Sequence, residues 1–417
     1  MSDEDDDFSF EDQEAIDAAN RLYAGLGSSA PVVRASAGPG APTFRVSHQL
    51  LKDAVLVATL KGKIKEADRL HFSISSESVE LSSRYKGVET RVWLKNERDG
   101  SAAEPHSFTL PHIVASRLVA LPGLDVVHAQ IQPAISGEND RALRLKLGSS
   151  RVTLSAAPAF PTESLHTDPH KENTLRFGPL ALKMALHDAL EISTAAGPGG
   201  VVSAAEGRVF AGGPKAVIAI VNPDFTHLNF DVSAEDCRVL TRIVGRMRHG
   251  RACFYATEKH FIFFDELITC RVSRTKGVII PINDLMVAPV AQNFVLDTVK
   301  TQREGLLVAL AKPATITFTW PGSVPSFSDN STRIALFAAT PGMASQCRSS
   351  LKAWTESGSD FNEWTISVDG RVWLAAMRVF DFDSRMELNV LKAGAFFKIT
   401  GTKDECRSEV YLAGINA

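Results

Sequence analysis

Residues 108–121 read FTLPHIVASRLVAL, and this stretch joins two kinds of secondary structure without a loop. Its first three residues are strand-like. Pro111 follows, and proline is favoured at the first position of a helix because the N–H that it lacks has no partner there. Apolar side chains then recur at helical spacing until Pro122 and Gly123 end the pattern. The stretch therefore predicts a strand that runs directly into a short helix.

The order of elements around this stretch repeats along the chain. Upstream, the pattern predicts a strand at 44–46, a helix at 48–60 and three further strands. Three strands follow downstream, and the whole order recurs from residue 174 and again from residue 293. Three copies of about 120 residues each weigh more than any local motif as a guide to architecture.

The repeat predicts an α+β fold of three domains, each with two helices packed on antiparallel sheet. The expected domains are 43–168, 169–290 and 291–417, and 417 residues are too many for one ordinary core. In the third copy the pattern predicts a second helix at 343–354 and a strand at 371–382.

Residues 1–42 are predicted to be an acidic disordered tail. Residues 1–17 hold nine acidic side chains and no basic one, and Ala, Gly, Pro and Ser dominate 25–42. Because the whole chain carries −3, the other 400 residues carry a formal +6. A short helix within 8–24 stays open as an alternative, as does a role in shielding a basic surface or docking a partner.

Composition restricts the class of protein and the compartment. Hydrophobic residues make up 44% and charged residues 22% of the chain, as in globular proteins. No apolar run is long enough to span a membrane, and the acidic start lacks the features of a secretory signal. The five cysteines form no CxxC pair, which favours a reducing compartment. We expect a cytoplasmic protein.

The segment 237–251 concentrates basic side chains. Arg238, Arg242 and Arg246 are spaced i, i+4, i+8, which predicts one stripe along a helix over 233–249. Such a stripe favours contact with nucleic-acid phosphates, which would be sequence-neutral and salt-sensitive; a merely solvated helix face is the alternative. Further candidates are basic side chains in this segment, in one loop and on other predicted helices: Arg248, Arg251, Lys61, Lys63, Lys65, Lys183 and Lys300.

Catalytic motifs are absent from the sequence. It contains no GxxxxGK[ST], HExxH or GxSxG pattern. His166 and His170 are spaced i, i+4 but lie in a proline-flanked linker without a third ligand. We expect no enzyme activity, no metal and no cofactor.

Two motifs carry a resemblance to a known family. The segment 148–161, GSSRVTLSAAPAFP, is similar to the end of the first domain of bacterial-type DNA polymerase sliding clamps, the beta-clamp family, and 108–111 resembles a strand-to-helix junction of that family. The resemblance implies a ring, formed on dimerisation, that encircles duplex DNA and tethers the replicative polymerase. The long N-terminus and the altered C-terminus indicate a diverged clamp, as a phage-encoded one would be, in bacterial or host cytosol.

The resemblance also implies functional residues. The basic helix at 233–249 would line the central hole and face DNA. Polymerase and clamp loader would bind through short peptide motifs, in an apolar pocket formed by Val217, Pro281, Val287, Tyr411 and Leu412. The alternative function is a structural or scaffold protein of the virion type, which uses the repeated fold without encircling DNA. The concentration of arginines distinguishes the two readings, since a scaffold has no need of it.

Overall fold

The computed structural model describes residues 10–26, 43–60, 68–96, 106–120, 126–133, 141–147, 150–156, 174–197, 200–275, 286–310, 314–322, 331–339, 346–355, 363–380, 385–391, 396–403 and 406–415. The helices are α1 Phe10–Leu26, α2 His48–Ala58, α3 His112–Val119, α4 Pro179–Ala196, α5 Ala234–Val244, α6 Thr298–Leu310 and α7 Gly370–Val379. The chain forms two compact units: unit 1 (Met1–Leu180 and Val239–Ser273) and unit 2 (Ala181–Arg238 and Arg274–Ala417).

The strands are antiparallel throughout and number eight in each copy of the repeat within the described residues. They are β1 Thr43–Ser47, β2 Arg69–Ile74, β3 Ser78–Tyr85, β4 Val88–Lys95, β5 His106–Pro111, β6 Val126–Pro133, β7 Arg141–Leu147 and β8 Ser150–Ala156 in the first copy. The second copy has β9 Leu175–Arg176, β10 Val201–Ala205, β11 Arg208–Gly213, β12 Ala216–Val221, β13 Phe230–Ser233, β14 Cys253–Ala256, β15 His260–Phe264 and β16 Ile268–Ser273. The third has β17 Val290–Leu296, β18 Thr315–Trp320, β19 Ser331–Ala339, β20 Gln346–Thr355, β21 Trp364–Asp369, β22 Glu387–Leu391, β23 Phe396–Lys403 and β24 Cys406–Ala413.

The order strand, helix, three strands occurs twice in every copy, which confirms the predicted α+β repeat. Unit 1 contains a four-stranded sheet, β1-β6-β7-β8, and an eight-stranded sheet, β5-β2-β3-β4-β16-β15-β14-β9. Unit 2 contains a twelve-stranded sheet, β13-β10-β11-β12-β24-β23-β22-β17-β20-β19-β18-β21. The larger sheets join strands of different copies, so the compact units do not follow the three predicted domains, whose boundaries stay a prediction.

The junction of the first two copies lies between β4 and β16 in unit 1. Five residue pairs align there, and Arg271 of β16 lies opposite Glu89 of β4. The buried Glu89 carboxylate accepts hydrogen bonds from Arg271, from Arg91 Nε at 2.8 Å and from Arg84 Nε at 2.7 Å. Burial alone would raise the pKa of Glu89, but the three guanidinium groups lower it below its usual value. This charged group therefore stabilises the strand pair in its ionised form.

Helix α1 corrects the expectation of a wholly disordered tail over 1–42. Ala15, Ala18, Ala19 and Leu22 are buried, and their i, i+3, i+4, i+7 spacing places them on one face, which packs against α2. The alternative of a short helix within 8–24 is thereby confirmed, although its packed face gave a weak signal because alanine contributes little to a hydrophobic pattern. Residues 1–9 and 27–42 lie outside the described residues.

Unit 2 is built around aromatic side chains on its long sheet. The Phe318 ring of β18 packs at 4.6 Å from that of Trp373 in α7, and at 5.3 Å from that of Phe397 in β23. All three side chains are fully buried. Because each ring removes a large apolar area from water, these contacts hold α7 firmly on the sheet.

Two elements of the third copy differ from the prediction. Residues 343–354 were expected to form a helix, but β20 occupies 346–355 and pairs with β19 over nine residue pairs, so long-range pairing overrides local propensity. Residues 371–382 were expected to form a strand, but the helix α7 occupies Gly370–Val379. Its first turn is capped by Asp369, whose Oδ1 accepts from the backbone N of Arg371 at 2.9 Å.

The cap of α7 can be tested by substitution. Replacing Asp369 with Ala should lower the free energy of unfolding by about 1 kcal/mol, because the first helical N–H groups lose their acceptor. Asp369→Asn is the control, since an asparagine side chain can still accept those hydrogen bonds. Chemical denaturation measures both variants, and equal destabilisation by the two would show that the pairing of Asp369 with Lys215 matters more than the cap.

Candidate nucleic-acid and peptide-binding surfaces

Helix α5 carries the first two arginines of the predicted stripe. Its first turn is capped by Ser233, whose Oγ accepts from the backbone N of Asp236 at 3.1 Å. Arg238 is exposed and Arg242, one turn further on, is half-buried. The helix ends at Val244, five residues before the predicted end, so the stripe does not continue along it. Arg238 and Arg242 thus form the basic face of α5.

The structure contradicts a DNA-facing role for Arg246. Its side chain is buried, and its Nη1 donates to the backbone oxygens of Val57 at 2.9 Å and Thr59 at 3.0 Å. These carbonyls lie at the C-terminus of α2, where four oxygens have no partner within the helix and where positive charge is favoured. Arg246 therefore caps α2. Its i+8 spacing misled the prediction, because the chain turns away after Val244.

The remaining arginines of segment 237–251 follow α5. Arg248 and Arg251 are exposed. The Nη1 of Arg248 lies 2.6 Å from Glu266 Oε1, and its guanidinium lies 5.9 Å from the centre of the Tyr23 ring of α1. Arg248 thus interacts within unit 1, whereas Arg251 is available to solvent.

The predicted lysines divide into two groups. Lys300 is exposed on α6, with its Nζ 3.7 Å from Asp297 Oδ2, and Lys183 is half-buried on α4. Lys61, Lys63 and Lys65 lie outside the described residues.

Two exposed arginines of α7 were missed by the sequence analysis. Arg371 and Arg378 lie on one face of the helix with the half-buried Leu374 between them. Arg378 Nη1 is 3.4 Å from Glu191 Oε2, an exposed pair that contributes little stability. The spacing 371, 374, 378 signals a helix face, but reading the segment as a strand concealed it. Arg242 and Arg378 each lie eight positions after the first residue of their helix, so the second helix of two copies carries arginine at the same place.

An apolar cluster on the long sheet of unit 2 contains two of the predicted pocket residues. Val217 of β12 lies directly opposite Tyr411 of β24, and both are buried with Ala219 and Leu391. Half-buried apolar side chains that pack against this cluster are Phe210, Met286 and Ala288. We call this group the β12–β24 cluster.

The other predicted pocket residues are placed differently. Leu412 is fully buried, but it follows Tyr411 in the strand and so faces the opposite side of the sheet, which corrects its assignment to the pocket. Val287 is 79% exposed beside Met286 and Ala288, at the margin of the cluster. Pro281 lies outside the described residues.

Charged side chains border the β12–β24 cluster. Tyr411 donates its hydroxyl to Glu409 Oε2 at 2.7 Å, and Lys398 and Arg407 each approach Glu409 Oε1 to 3.0 Å. Burial, aided by the Glu409 hydrogen bond, raises the pKa of Tyr411 far above its ordinary value. Burial would also raise the pKa of Glu409, but these partners lower it. Tyr411 therefore stays neutral and Glu409 ionised at physiological pH, which holds the aromatic ring in place.

The described residues offer few other sites. They contain no group of three or more His, Cys, Asp or Glu side chains placed to hold a metal ion. Among them, no helix has the length and apolar character needed to cross a membrane.

Comparison with known proteins identifies the fold. No known family profile and no curated protein matches this sequence. The structure is nevertheless similar to the DNA polymerase III subunit beta of Pseudomonas aeruginosa, with a TM-score of 0.69 and 13% identity over 90% of this chain and 100% of that one. The beta subunit of Streptococcus pyogenes has a TM-score of 0.67 and 14% identity, over 90% of this chain and 100% of that one. The sliding clamp of Bacillus subtilis has a TM-score of 0.69 and 12% identity, over 90% of this chain and 99% of that one. The fold is that of a bacterial sliding clamp, which confirms the resemblance to a diverged beta-clamp.

The separate roles of the arginines can be tested by stability. Arg246→Ala should lower the free energy of unfolding by roughly 1–3 kcal/mol, because two carbonyls at the end of α2 lose their donor. Arg238→Ala should change it by less than about 0.5 kcal/mol, since Arg238 is exposed. Urea denaturation of both variants measures the difference. Equal stabilities would contradict the capping role of Arg246.

Proposed function

We propose that this chain is a DNA sliding clamp, a processivity factor that encircles duplex DNA and tethers a replicative polymerase. The fold supports this proposal, and the strand order carries it. The β4 strand pairs with β16, and β12 pairs with β24, so the fourth strand of one copy pairs with the eighth strand of the next. The same rule would pair β20 with β8.

That last pairing calls for a second copy of the chain. Among the described strands, β8 pairs only with β7, and residues 346–352 of β20 pair only with β19. If β8 of one protomer paired with β20 of its partner, β8 and residues 346–352 of β20 would each gain a second neighbouring strand. Two protomers of three domains would then form a closed ring of six domains, in which the same strand pairing joins every neighbouring pair of domains.

In this ring the helices would face DNA. Exposed basic side chains on helices support this orientation: Arg117, Arg238, Lys300, Arg303, Arg371 and Arg378. Arg242, Arg251 and Lys183 would add weaker contacts, as would Lys61, Lys63 and Lys65. Such phosphate contacts position the duplex without reading its sequence, so the ring can slide. The mechanism is topological, which requires no catalytic residue and no cofactor.

The β12–β24 cluster would bind the polymerase and the clamp loader. Apolar side chains at its centre and charged side chains at its border suit an extended peptide with hydrophobic anchors. Val217 and Tyr411 would form the floor, and Val287 would contact the peptide from the margin. The protein would act in the cytosol of a bacterium, or of a phage-infected host.

Retention on DNA tests the encircling function. Light scattering should give a mass near twice 45.1 kDa, and the protein should remain on nicked circular plasmid but leave after linearisation. Replacing Arg238, Arg371 and Arg378 with Ala should reduce retention and its dependence on salt, because phosphate contacts release counterions. A monomer that behaves equally on both DNAs would contradict the proposal and favour the scaffold function.

Peptide binding can be tested at exposed positions. Val287→Glu should weaken binding of a fluorescent peptide with Leu and Phe anchors roughly tenfold, because a charge would be buried at the interface. Val299→Glu is the matched control, since Val299 is 58% exposed on α6. Fluorescence polarisation measures both affinities. Equal affinities in the two variants would exclude Val287 from the peptide site.

A further inference from the structure

Helix α1 covers one face of α2 in unit 1. The small side chains of Ala15, Ala18 and Ala19 are almost completely buried and let the two helices approach closely. A Cβ added to Gly25 would lie only 3.2 Å from Leu50 Cδ2 of α2. The first helix of this copy is therefore enclosed between the sheet and α1.

Asp53 shows that this face of α2 is built for α1. Its carboxylate is fully buried and accepts hydrogen bonds from two nitrogens of Arg21 of α1, from Nη2 at 2.7 Å and from Nε at 3.1 and 3.2 Å. Gln49 Nε2 also donates to this carboxylate, at 3.0 Å. A carboxylate on this face would repel DNA phosphates if α1 were absent, so α2 is suited to an arginine partner and unsuited to direct DNA contact.

Tyr23 attaches the C-terminal half of α1 to the core of unit 1. Its buried hydroxyl donates to the Asp265 carboxylate and lies 3.3 Å from the backbone oxygen of Arg246. Asp265 also accepts from the backbone N of Arg248 and of Leu267, both at 2.8 Å. The helix is thus joined to the same segment that caps α2, and separating it would leave several buried polar groups without partners.

The exposed face of α1 is acidic. Glu14 and Asp17 are exposed, and the nine acidic residues of 1–17 make this the most negative part of the sequence. Opposite the phosphates of a duplex, these charges would be repulsive.

We propose that α1 is a permanent acidic cover on the helical side of unit 1, which keeps duplex DNA away from α2 and leaves DNA contact to the helices that carry arginine. This inference rests on the proposed function. It makes the DNA contacts of each protomer unequal: the acidic helix α1 repels the duplex, and α5, α6 and α7 hold it. The repulsion would weaken total affinity, which a topologically linked ring can tolerate.

Neutralisation of the exposed charges tests the effect on DNA. Glu14→Gln/Asp17→Asn in the full chain should bind a fluorescein-labelled duplex about threefold more tightly at low salt, with the difference disappearing as salt rises. Glu77→Gln/Glu258→Gln is the matched control, because it removes the same charge from exposed turns of the sheet layer. A gain equal to that of the control, or no gain, overturns the proposal.

Hydrogen exchange tests whether the cover is permanent. Amides of residues 15–23 should remain protected with and without the duplex, and Arg21→Ala should reduce their protection. Loss of protection when DNA binds would mean a displaceable helix and would overturn permanence. If the wild-type chain binds no duplex and is not retained on circles, both the proposed function and this inference fail; if it binds but the α1 variant behaves as its control, only the inference fails.

Discussion

Pairing of the fourth strand of one repeat with the eighth strand of the next is the constraint on which the rest of this structure depends. A sheet edge exposes unpaired N–H and C=O groups, and at two places the pairing of strands from neighbouring copies removes such an edge. Between β4 and β16, the buried Glu89 carboxylate forms ion pairs with three arginines, in addition to the backbone pairing. At the seam of β12 with β24, the pairing places Val217 against Tyr411 and so creates the apolar cluster. The same strand pairing therefore joins the repeats and forms the candidate peptide site.

The position of each arginine relative to backbone acceptors determines whether its charge is buried or exposed. Arg246 is directed inwards and caps α2, whereas Arg238, Arg371 and Arg378 remain exposed. Arg238 and Arg246, which are close in sequence, therefore have separate roles, one in surface charge and one in stability. Helix α1 adds the opposite charge, because Arg21 and Tyr23 fix an acidic helix over α2. The described helices therefore carry exposed charges of both signs.

Much of the fold was accessible from sequence because it rests on local periodicity. The β5 to α3 transition at Pro111, the helix at Ala234 and the threefold order of elements follow from short-range patterns. Two elements of the third copy did not. The strand β20 depends on pairing with β19, and α7 depends on the Asp369 cap and on the burial of Trp373. The pairing of β20 and the contact of Trp373 with Phe318 are distant in sequence and outweigh local preferences, whereas the Asp369 cap is a local signal.

The sequence by itself determined the fold class, a repeated α+β chain, and placed Arg238 and Arg242 on one helix. Only the tertiary structure decided which side chains face solvent. Arg246 is buried since α5 ends at Val244, and Leu412 faces away from the cluster because strand side chains alternate. The helix at 10–26 is stable because α2 supplies Asp53 and a close-fitting surface. Spacing along a sequence specifies which residues share a face, whereas the partner that covers this face is defined only once the chain is folded.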